Sequence, residues 1–179
     1  MTTKAGIRAD IRQWLRDAHA GSLAEKSGLI CRQIAENDAW RSAATVCLFA
    51  PQAHEPDVEL LWRERGERVF CYPRVNGTEL DLIRVDDRAE LQMSRWQLRE
   101  PIHDSDKLMA PAGVDLVLVP GVAFSRQGAR LGRGGGFYDR LLSRPDFRAR
   151  RIGVCFERQL LDELPTEPHD CAVDLVITA

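Results

Sequence analysis

The sequence predicts an α/β fold: a single three-layer domain over residues 1–179, in which a mostly parallel central sheet is flanked by helices. Three observations lead to this prediction. Short apolar runs rich in β-branched residues, such as residues 115–120, are typical of strands buried on both faces. Segments with helical spacing separate these runs along the chain. The length of 179 residues, of which 44% are hydrophobic, fits one domain with a substantial core.

The predicted helices are defined by apolar spacing and by capping residues. Apolar residues at helical intervals predict a first helix over about residues 3–19. A second helix is predicted to begin with Ser22 and Glu25, which have the spacing of a capping box. A third helix is expected over about residues 56–66, and a fourth over about residues 136–142. A further short helix is expected between the last two strands.

The predicted strands are the continuous apolar segments between these helices. Residues 86–113 have a weak pattern, and we expect an ordered loop there. A turn at Asn76 and Gly77 separates two of the strands. The strands are expected at residues 45–50, 68–73, 79–85, 115–120, 151–156 and 174–178.

Candidate functional side chains follow the ends of several predicted strands. Glu55, Arg74 and Glu157 come soon after strands, and a glycine-rich segment follows residues 115–120. In parallel α/β sheets, ligands bind beyond the carboxyl ends of the strands. We therefore expect these residues at one rim of the sheet.

The overall charge excludes several classes of partner. A net charge of −2 gives no general attraction to nucleic acid or to an anionic membrane. No apolar run approaches membrane-spanning length, and the first five residues lack the apolar core of a signal peptide. We expect a cytoplasmic monomer that binds small molecules.

Cysteine and histidine usage gives no sign of disulfides or of a zinc site. The five cysteines are widely spaced, and three of them lie within predicted strands, which indicates buried thiols in a reducing compartment. The four histidines (His19, His54, His103 and His169) show no metal-ligand spacing.

The glycine-rich segment, residues 128–140, is the strongest functional signal. Gly132, Gly134, Gly135 and Gly136 fall within five positions, and Arg130 and Arg133 accompany them. Glycines let backbone N–H groups approach an anion closely, and arginines neutralise it. Asp139, shortly afterwards, is a potential ligand for a divalent cation. The composition indicates a site for a triphosphate and its metal.

Spacing excludes the two commonest nucleotide motifs. No lysine followed by a hydroxyl residue completes a P-loop, and Phe137 stands where the dinucleotide fingerprint requires its third glycine. A flexible surface loop is the alternative, but linkers do not usually concentrate arginine, aromatic and acidic residues. The residues alone therefore indicate an anion site for a nucleotide with its metal, and they do not identify the reaction.

The run 119–124 followed by residues 128–140 closely resembles the signature of the 5-formyltetrahydrofolate cyclo-ligase family, also called 5,10-methenyltetrahydrofolate synthetases. The resemblance extends over nearly the whole chain, from Lys4 and Arg8 to Asp170. It implies a single α/β domain and the ATP- and Mg²⁺-dependent closure of 5-formyltetrahydrofolate, with or without a polyglutamate tail, to 5,10-methenyltetrahydrofolate. ADP and phosphate would be released.

The resemblance also implies roles for individual residues. Arg130 and Arg133 would neutralise charge during phosphoryl transfer, and Asp139 and Asp170 would hold the metal. The residues expected to bind ATP are Lys4, Arg8, Arg130, Leu131, Gly132, Arg133, Gly134, Gly135, Gly136, Phe137 and Tyr138. Those expected to bind the folate are Ala50, Glu55, Trp96, Arg133, Gly134, Gly135, Gly136 and Phe137.

The chain departs from the family pattern at one loop position. Many relatives carry lysine where this chain has Gly135, and we expect that difference to change affinity and not function. Two other functions remain open from the residues: a non-catalytic folate or nucleotide sensor, and an ATP-dependent kinase or ligase with a different substrate. The metal-binding carboxylates argue against the sensor, and Glu55 and Trp96 separate the folate enzyme from the other ligases.

Overall fold

The computed structural model describes residues 3–179, so Met1 and Thr2 of the predicted range 1–179 lie outside the described residues. Its main feature is a seven-stranded sheet in the order β12-β10-β7-β1-β2-β3-β6. The five strands from β12 to β2 pair in parallel, whereas β3 and β6 are antiparallel additions at one edge. The bounds of these strands are β1 Thr45–Cys47, β2 Val69–Asn76, β3 Glu79–Val85, β6 Leu108–Met109, β7 Leu116–Pro120, β10 Arg150–Cys155 and β12 Leu175–Thr178.

Two small sheets accompany the main one. Strand β8 (Ala123–Ser125) pairs antiparallel with β9 (Arg130–Leu131) and parallel with β11 (Leu160–Leu161). Strands β4 (Leu91–Met93) and β5 (Arg99–Pro101) form a separate hairpin within the segment of weak pattern. These five strands were not predicted, because each is only two or three residues long.

Alternating strand residues build the three layers. On one face of the sheet, residues such as Val46 and Leu118 pack against Ile30 of helix α2 (Ala20–Glu36). On the other face, residues such as Val117 and Val119 pack against Leu141 of helix α4 (Phe137–Leu142). The mostly parallel sheet with helices on both faces confirms the predicted fold class.

The helices differ from prediction mainly at their ends. Helix α1 (Lys4–Asp17) is capped by the Thr3 side chain and buries Ile7 and Ile11 against β8 and β9. Helix α2 begins at Ala20 without a side-chain cap, so the capping box predicted at Ser22 and Glu25 is wrong; both residues lie inside the helix. A short helix, α3 (Asp38–Ser42), was not predicted.

The third predicted helix is a 3₁₀ helix, Val58–Glu64, whose first N–H groups are capped by Asp57. Another 3₁₀ turn, Glu157–Gln159, accounts for the short helix expected between the last two strands.

The cysteines are free thiols, as expected. Cys47, Cys71 and Cys155 are fully buried on the α4 face of the sheet. Burial raises the pKa of Cys155 to about 12, so this thiol stays protonated and unreactive at neutral pH. Within residues 3–179, no helix is both long enough and apolar enough to cross a membrane.

Candidate active site

A cavity of about 800 Å³ lies at the carboxyl ends of β1, β2 and β7, at the rim expected from the sequence. Glu55 and the glycine-rich segment line it. Arg74 and Glu157 do not: Arg74 lies within β2, which extends three residues further than predicted, and Glu157 belongs to the 3₁₀ turn after β10. The cavity has the size of a ligand site, and its walls combine apolar and charged residues.

The glycine-rich segment connects β9 to α4 across the cavity. Gly134 and Gly136 have φ angles of 109° and 68°, which side-chain-bearing residues rarely adopt. Gly136 also ends the loop, since α4 begins at the next residue. The sequence thus places backbone amides along one wall of the cavity, as an anion-binding loop requires.

Arg130 and Asp139 form a buried ion pair behind this loop. Arg130 Nη2 donates to Asp139 Oδ1 at 2.6 Å, and the Arg130 side chain is only 3% exposed. Arg130 Nε and Tyr138 Oη are buried and have no hydrogen-bond partner within the described part of the chain. Both residues line the cavity, but these two atoms are shielded from solvent, so a local rearrangement would be needed before either could donate to a ligand.

Helix α1 contributes Lys4 and Arg8 from its first two turns. Lys4 Nζ lies 2.7 Å from Asp170 Oδ2 and 3.3 Å from Glu167 Oε2. Arg8 Nε donates to the carbonyl oxygen of Gly132 at 2.9 Å. These contacts bring the amino-terminal helix, the glycine-rich segment and the loop at 165–170 together around one end of the cavity.

Hydrogen bonds shift the ionisation of this group. Burial alone would lower the pKa of Lys4, but its bonds to Asp170 and Glu167 raise that pKa above the usual lysine value. Burial alone would raise the pKa of Asp170, whereas Lys4 and the backbone N–H of Glu167 lower it below the usual value. The pair is therefore fully charged at neutral pH.

Arg133 bridges the loop to the opposite wall. Its Nη2 donates to Glu55 Oε1 at 2.7 Å, and the backbone N–H of Gln52 donates to Glu55 Oε2 at 2.9 Å. Glu55 is 11% exposed at its side chain, whereas Arg133 is 55% exposed. Arg133 is thus the more exposed partner of a largely buried carboxylate.

The carboxylates at the charged end fit a magnesium ion. Asp139 and Asp170 both line the cavity, and Glu167 and His169 join Asp170 in a group whose ligand atoms lie within 4.8 Å of one another. Carboxylate oxygens are hard donors of the kind Mg²⁺ takes. His169, for which no metal-ligand spacing was expected, belongs to this group, and so does Glu167, which was not among the predicted ligands.

The apolar wall of the cavity contains Ala50 but not Trp96. Trp96 is 53% exposed and lies in the β4–β5 turn, where it stacks with the Arg95 guanidinium. The sequence analysis missed Glu100, which lines the cavity and accepts a 3.0 Å hydrogen bond from the backbone N–H of Val75. Of the residues to which the family resemblance assigns ATP, folate or metal, all except Trp96 line the cavity.

A family model described as the 5-formyltetrahydrofolate cyclo-ligase family matches residues 1–179. The chain belongs to this family. It is 40% identical over 144 residues to the 5-formyltetrahydrofolate cyclo-ligase of Mycolicibacterium smegmatis, an alignment covering 76% of this chain and 74% of the relative. It is 34% identical over 128 residues to that of Escherichia coli K12, with 69% of each chain covered.

The fold agrees with a solved member of the family. The NMR structure of Aquifex aeolicus 5,10-methenyltetrahydrofolate synthetase superposes with a TM-score of 0.86 at 30% identity, covering 98% of this chain and 89% of that one. The prediction of family membership is confirmed, and so is the prediction of an enzyme of the cyclo-ligase class.

Proposed function

We propose that this enzyme uses Mg·ATP to close 5-formyltetrahydrofolate into 5,10-methenyltetrahydrofolate, with release of ADP and phosphate. The observation that carries the proposal is the pairing of Arg133 with Glu55. This contact joins an anion-binding loop to a buried carboxylate on the opposite wall of one cavity. The arrangement suits two substrates that must meet, one carrying a phosphate chain and the other carrying N–H donors.

The proposed reaction has two steps. The formyl oxygen attacks the γ-phosphorus of ATP, and the bond from that phosphorus to the ADP oxygen breaks. The N10 lone pair then attacks the formyl carbon and N10 loses its proton, while the carbon–oxygen bond breaks and phosphate leaves. Transfer of this kind needs positioning and charge neutralisation more than a side-chain nucleophile.

The charged residues supply that neutralisation. Arg130, Lys4 and Arg8 line the end of the cavity where the phosphate chain would lie. Asp139 and Asp170, with Glu167, would hold Mg²⁺, which when bound supplies positive charge beside the phosphoryl oxygens. Burial raises the pKa of Tyr138 well above its usual value, so its hydroxyl remains a donor.

Glu55 is the proposed folate anchor. When Arg133 turns toward a phosphoryl group, one carboxylate oxygen of Glu55 becomes free to accept N–H bonds from the pterin. Ala50 and the ring of Phe137 belong to the same cavity and offer it apolar surface. Trp96 could stack on the ligand only after the β4–β5 turn moves, since its ring is now exposed to solvent.

The test is a direct assay of product. Purified protein with Mg·ATP and 5-formyltetrahydrofolate should produce the near-ultraviolet absorbance of the methenyl product, and omission of ATP should abolish it. Folded protein that gives no absorbance change with both substrates present would refute the proposal. Product formation with ADP in place of ATP would refute the phosphoryl-transfer step.

The Glu55→Gln variant tests the folate anchor. Loss of a charge-assisted hydrogen bond costs about 1.5 kcal/mol, so the KM for 5-formyltetrahydrofolate should rise roughly tenfold while the KM for ATP changes less than about twofold. Glu157→Gln is the matched control, because Glu157 is exposed and lies outside the cavity lining. Equal increases in both KM values would contradict the assignment.

A further inference from the structure

Arg140 in helix α4 holds the glycine-rich segment from behind. Its Nη2 donates to the carbonyl oxygen of Gly135 at 3.0 Å, and its Nε donates to the carbonyl oxygen of Thr78 at 2.7 Å. Its guanidinium also lies over the ring of Phe137, 5.0 Å from the ring centroid. One side chain therefore connects the loop to the β2–β3 turn and to the first residue of α4.

The neighbouring glycines leave the space that this arrangement occupies. A Cβ atom at Gly135 would lie 2.9 Å from Cδ2 of Phe137, and one at Gly136 would lie 2.7 Å from Nη1 of Arg140. Both distances are too short for a real contact. The absence of side chains at these two positions is thus what allows the ring of Phe137 and the guanidinium of Arg140 to stack directly behind the loop.

The bond to Gly135 also determines the direction of a loop donor. In a trans peptide, the carbonyl of Gly135 and the N–H of Gly136 point in opposite directions. By fixing the carbonyl, Arg140 fixes the N–H. The β2–β3 turn, at the other end of Arg140, joins two strands whose residues Val75 and Leu80 line the cavity. Arg140 therefore holds the glycine-rich segment in a defined position relative to the cavity wall that contains Val75 and Leu80.

We propose that Arg140 is a positioning residue for nucleotide binding: it orients the amides of the glycine-rich segment without touching the ligand. This inference rests on the proposed ATP-dependent function. Counting charges alone would predict that a lysine at position 135 strengthens ATP binding, whereas this inference predicts the opposite. A lysine at position 135 would add a cation, yet its Cβ would displace Phe137 and disturb the contact with Arg140, so Gly135→Lys should weaken ATP binding in this chain.

The experiment compares Arg140→Ala, Arg140→Lys and the control Arg144→Ala. Arg144 follows the same helix, pairs with Asp146 and lies outside the cavity lining. Binding of Mg·ATP is measured by calorimetry without folate, and KM and kcat are measured in the product assay. Loss of an oriented charge-assisted hydrogen bond predicts a roughly tenfold weaker Kd and a tenfold higher KM for ATP in Arg140→Ala. The KM for 5-formyltetrahydrofolate should rise less than the KM for ATP, and the Tm should fall by only about 2–4 °C.

Two further outcomes separate positioning from general destabilisation. All the donors of a lysine leave from one nitrogen, so Arg140→Lys cannot span both carbonyls as the guanidinium does, and it should recover only part of the lost affinity. In a double-mutant cycle, Gly135→Lys should cost less affinity in the Arg140→Ala background than in the parent, because the stack it disturbs is already gone. Additive effects, or a gain in affinity from Gly135→Lys in the parent, would overturn the inference.

The proposal and the proposed function fail in distinguishable ways. A parent protein that binds no Mg·ATP overturns both. A parent that binds Mg·ATP and forms product, with Arg140→Ala behaving like Arg144→Ala, overturns the role of Arg140 alone.

Discussion

Replacing Asp139 by alanine should destabilise the protein as well as inactivate it, because Asp139 neutralises a buried arginine. The Arg130 side chain is 3% exposed, and its Nη2 lies 2.6 Å from Asp139 Oδ1. Removing one member of such a pair leaves an uncompensated charge in a site of low dielectric, which costs about 3–5 kcal/mol. Because Arg130 lines the cavity, water can reach it in the variant, and we expect the lower value, about 3 kcal/mol.

The asparagine variant separates the structural role of Asp139 from its catalytic one. The amide introduced by Asp139→Asn keeps an oxygen acceptor for Arg130 and for the backbone N–H of Cys171, which now lies 3.1 Å from Asp139 Oδ1. The expected loss of stability is therefore only about 1 kcal/mol. Turnover should still fall strongly, because an amide oxygen is a weaker ligand for Mg²⁺ than a carboxylate.

Thermal unfolding measures the difference in stability between Asp139→Ala and Asp139→Asn. For a chain of this size, 1 kcal/mol corresponds to about 2–4 °C in Tm, so Asp139→Ala should lose about 6–12 °C and Asp139→Asn about 2–4 °C. The exposed Asp162, changed to alanine, is the control. In the double variant Arg130→Met, Asp139→Ala the buried charge is absent, and the Tm should return toward that of the parent.

The reasoning is refuted if Asp139→Ala unfolds within about 2 °C of the parent, since Arg130 would then not depend on its partner. It is equally refuted if the double variant is less stable than Asp139→Ala. Normal turnover by Asp139→Asn would remove Asp139 from the metal role while leaving the structural argument intact.

Two further predictions concern pH and the glycines. The folded pKa of Asp170 is lowered from 3.8 and that of Lys4 is raised from 10.5, so their pair stabilises the protein above the first value and below the second. The Tm of Lys4→Met should therefore lie below that of the parent by a constant amount between about pH 5 and 9. The two Tm values should converge as the pH falls below about 4. A Tm difference that changes with pH near neutrality would contradict this. Gly28 lies inside α2 with open space at its Cβ position, so Gly28→Ala should raise the Tm by about 1–4 °C. Gly128→Ala should lower the Tm, because the new Cβ would collide with the carbonyl oxygen of Val173. Thermal unfolding of the two glycine variants checks both expectations. A Gly128→Ala protein as stable as the parent would show that the contact is adjustable.

The fold could be predicted from the sequence wherever a segment was long and its pattern continuous. The strand at residues 79–85 has the predicted bounds, and the strand expected at 115–120 is one residue shorter at its start. Strands β8 and β9 were missed because segments of two or three residues carry no periodicity. Their pairing depends on α1 packing across them, which is information held by the tertiary structure.

The start of helix α2 shows a second limit on what could be predicted from the sequence. Ser22 and Glu25 have capping-box spacing, yet α2 begins two residues earlier, at Ala20. Helix propensity and packing of Leu23 and Ile30 extend the helix past the expected cap. A local motif was therefore overridden by the burial of an apolar face.

The candidate site was predictable where its residues are contiguous in the chain. The run from Arg130 to Asp139 lies on one cavity, as expected. Glu167 and His169 adjoin Asp170 in the chain, but their place beside Lys4 at the cavity depends on how the ends of the chain meet. Trp96 illustrates the opposite case, since the family resemblance implied a ligand contact and the hairpin leaves its ring 53% exposed.

The three ion pairs of the cavity would couple the binding of the proposed nucleotide to the binding of its metal. Lys4 with Asp170, Arg130 with Asp139, and Arg133 with Glu55 pair three cations of the cavity with three of its carboxylates. A phosphate chain that takes a cation releases a carboxylate, and a divalent ion that takes a carboxylate releases a cation. Each exchange lowers the cost of the other. Thermodynamic linkage then requires that the metal strengthen nucleotide binding by the same factor by which the nucleotide strengthens metal binding.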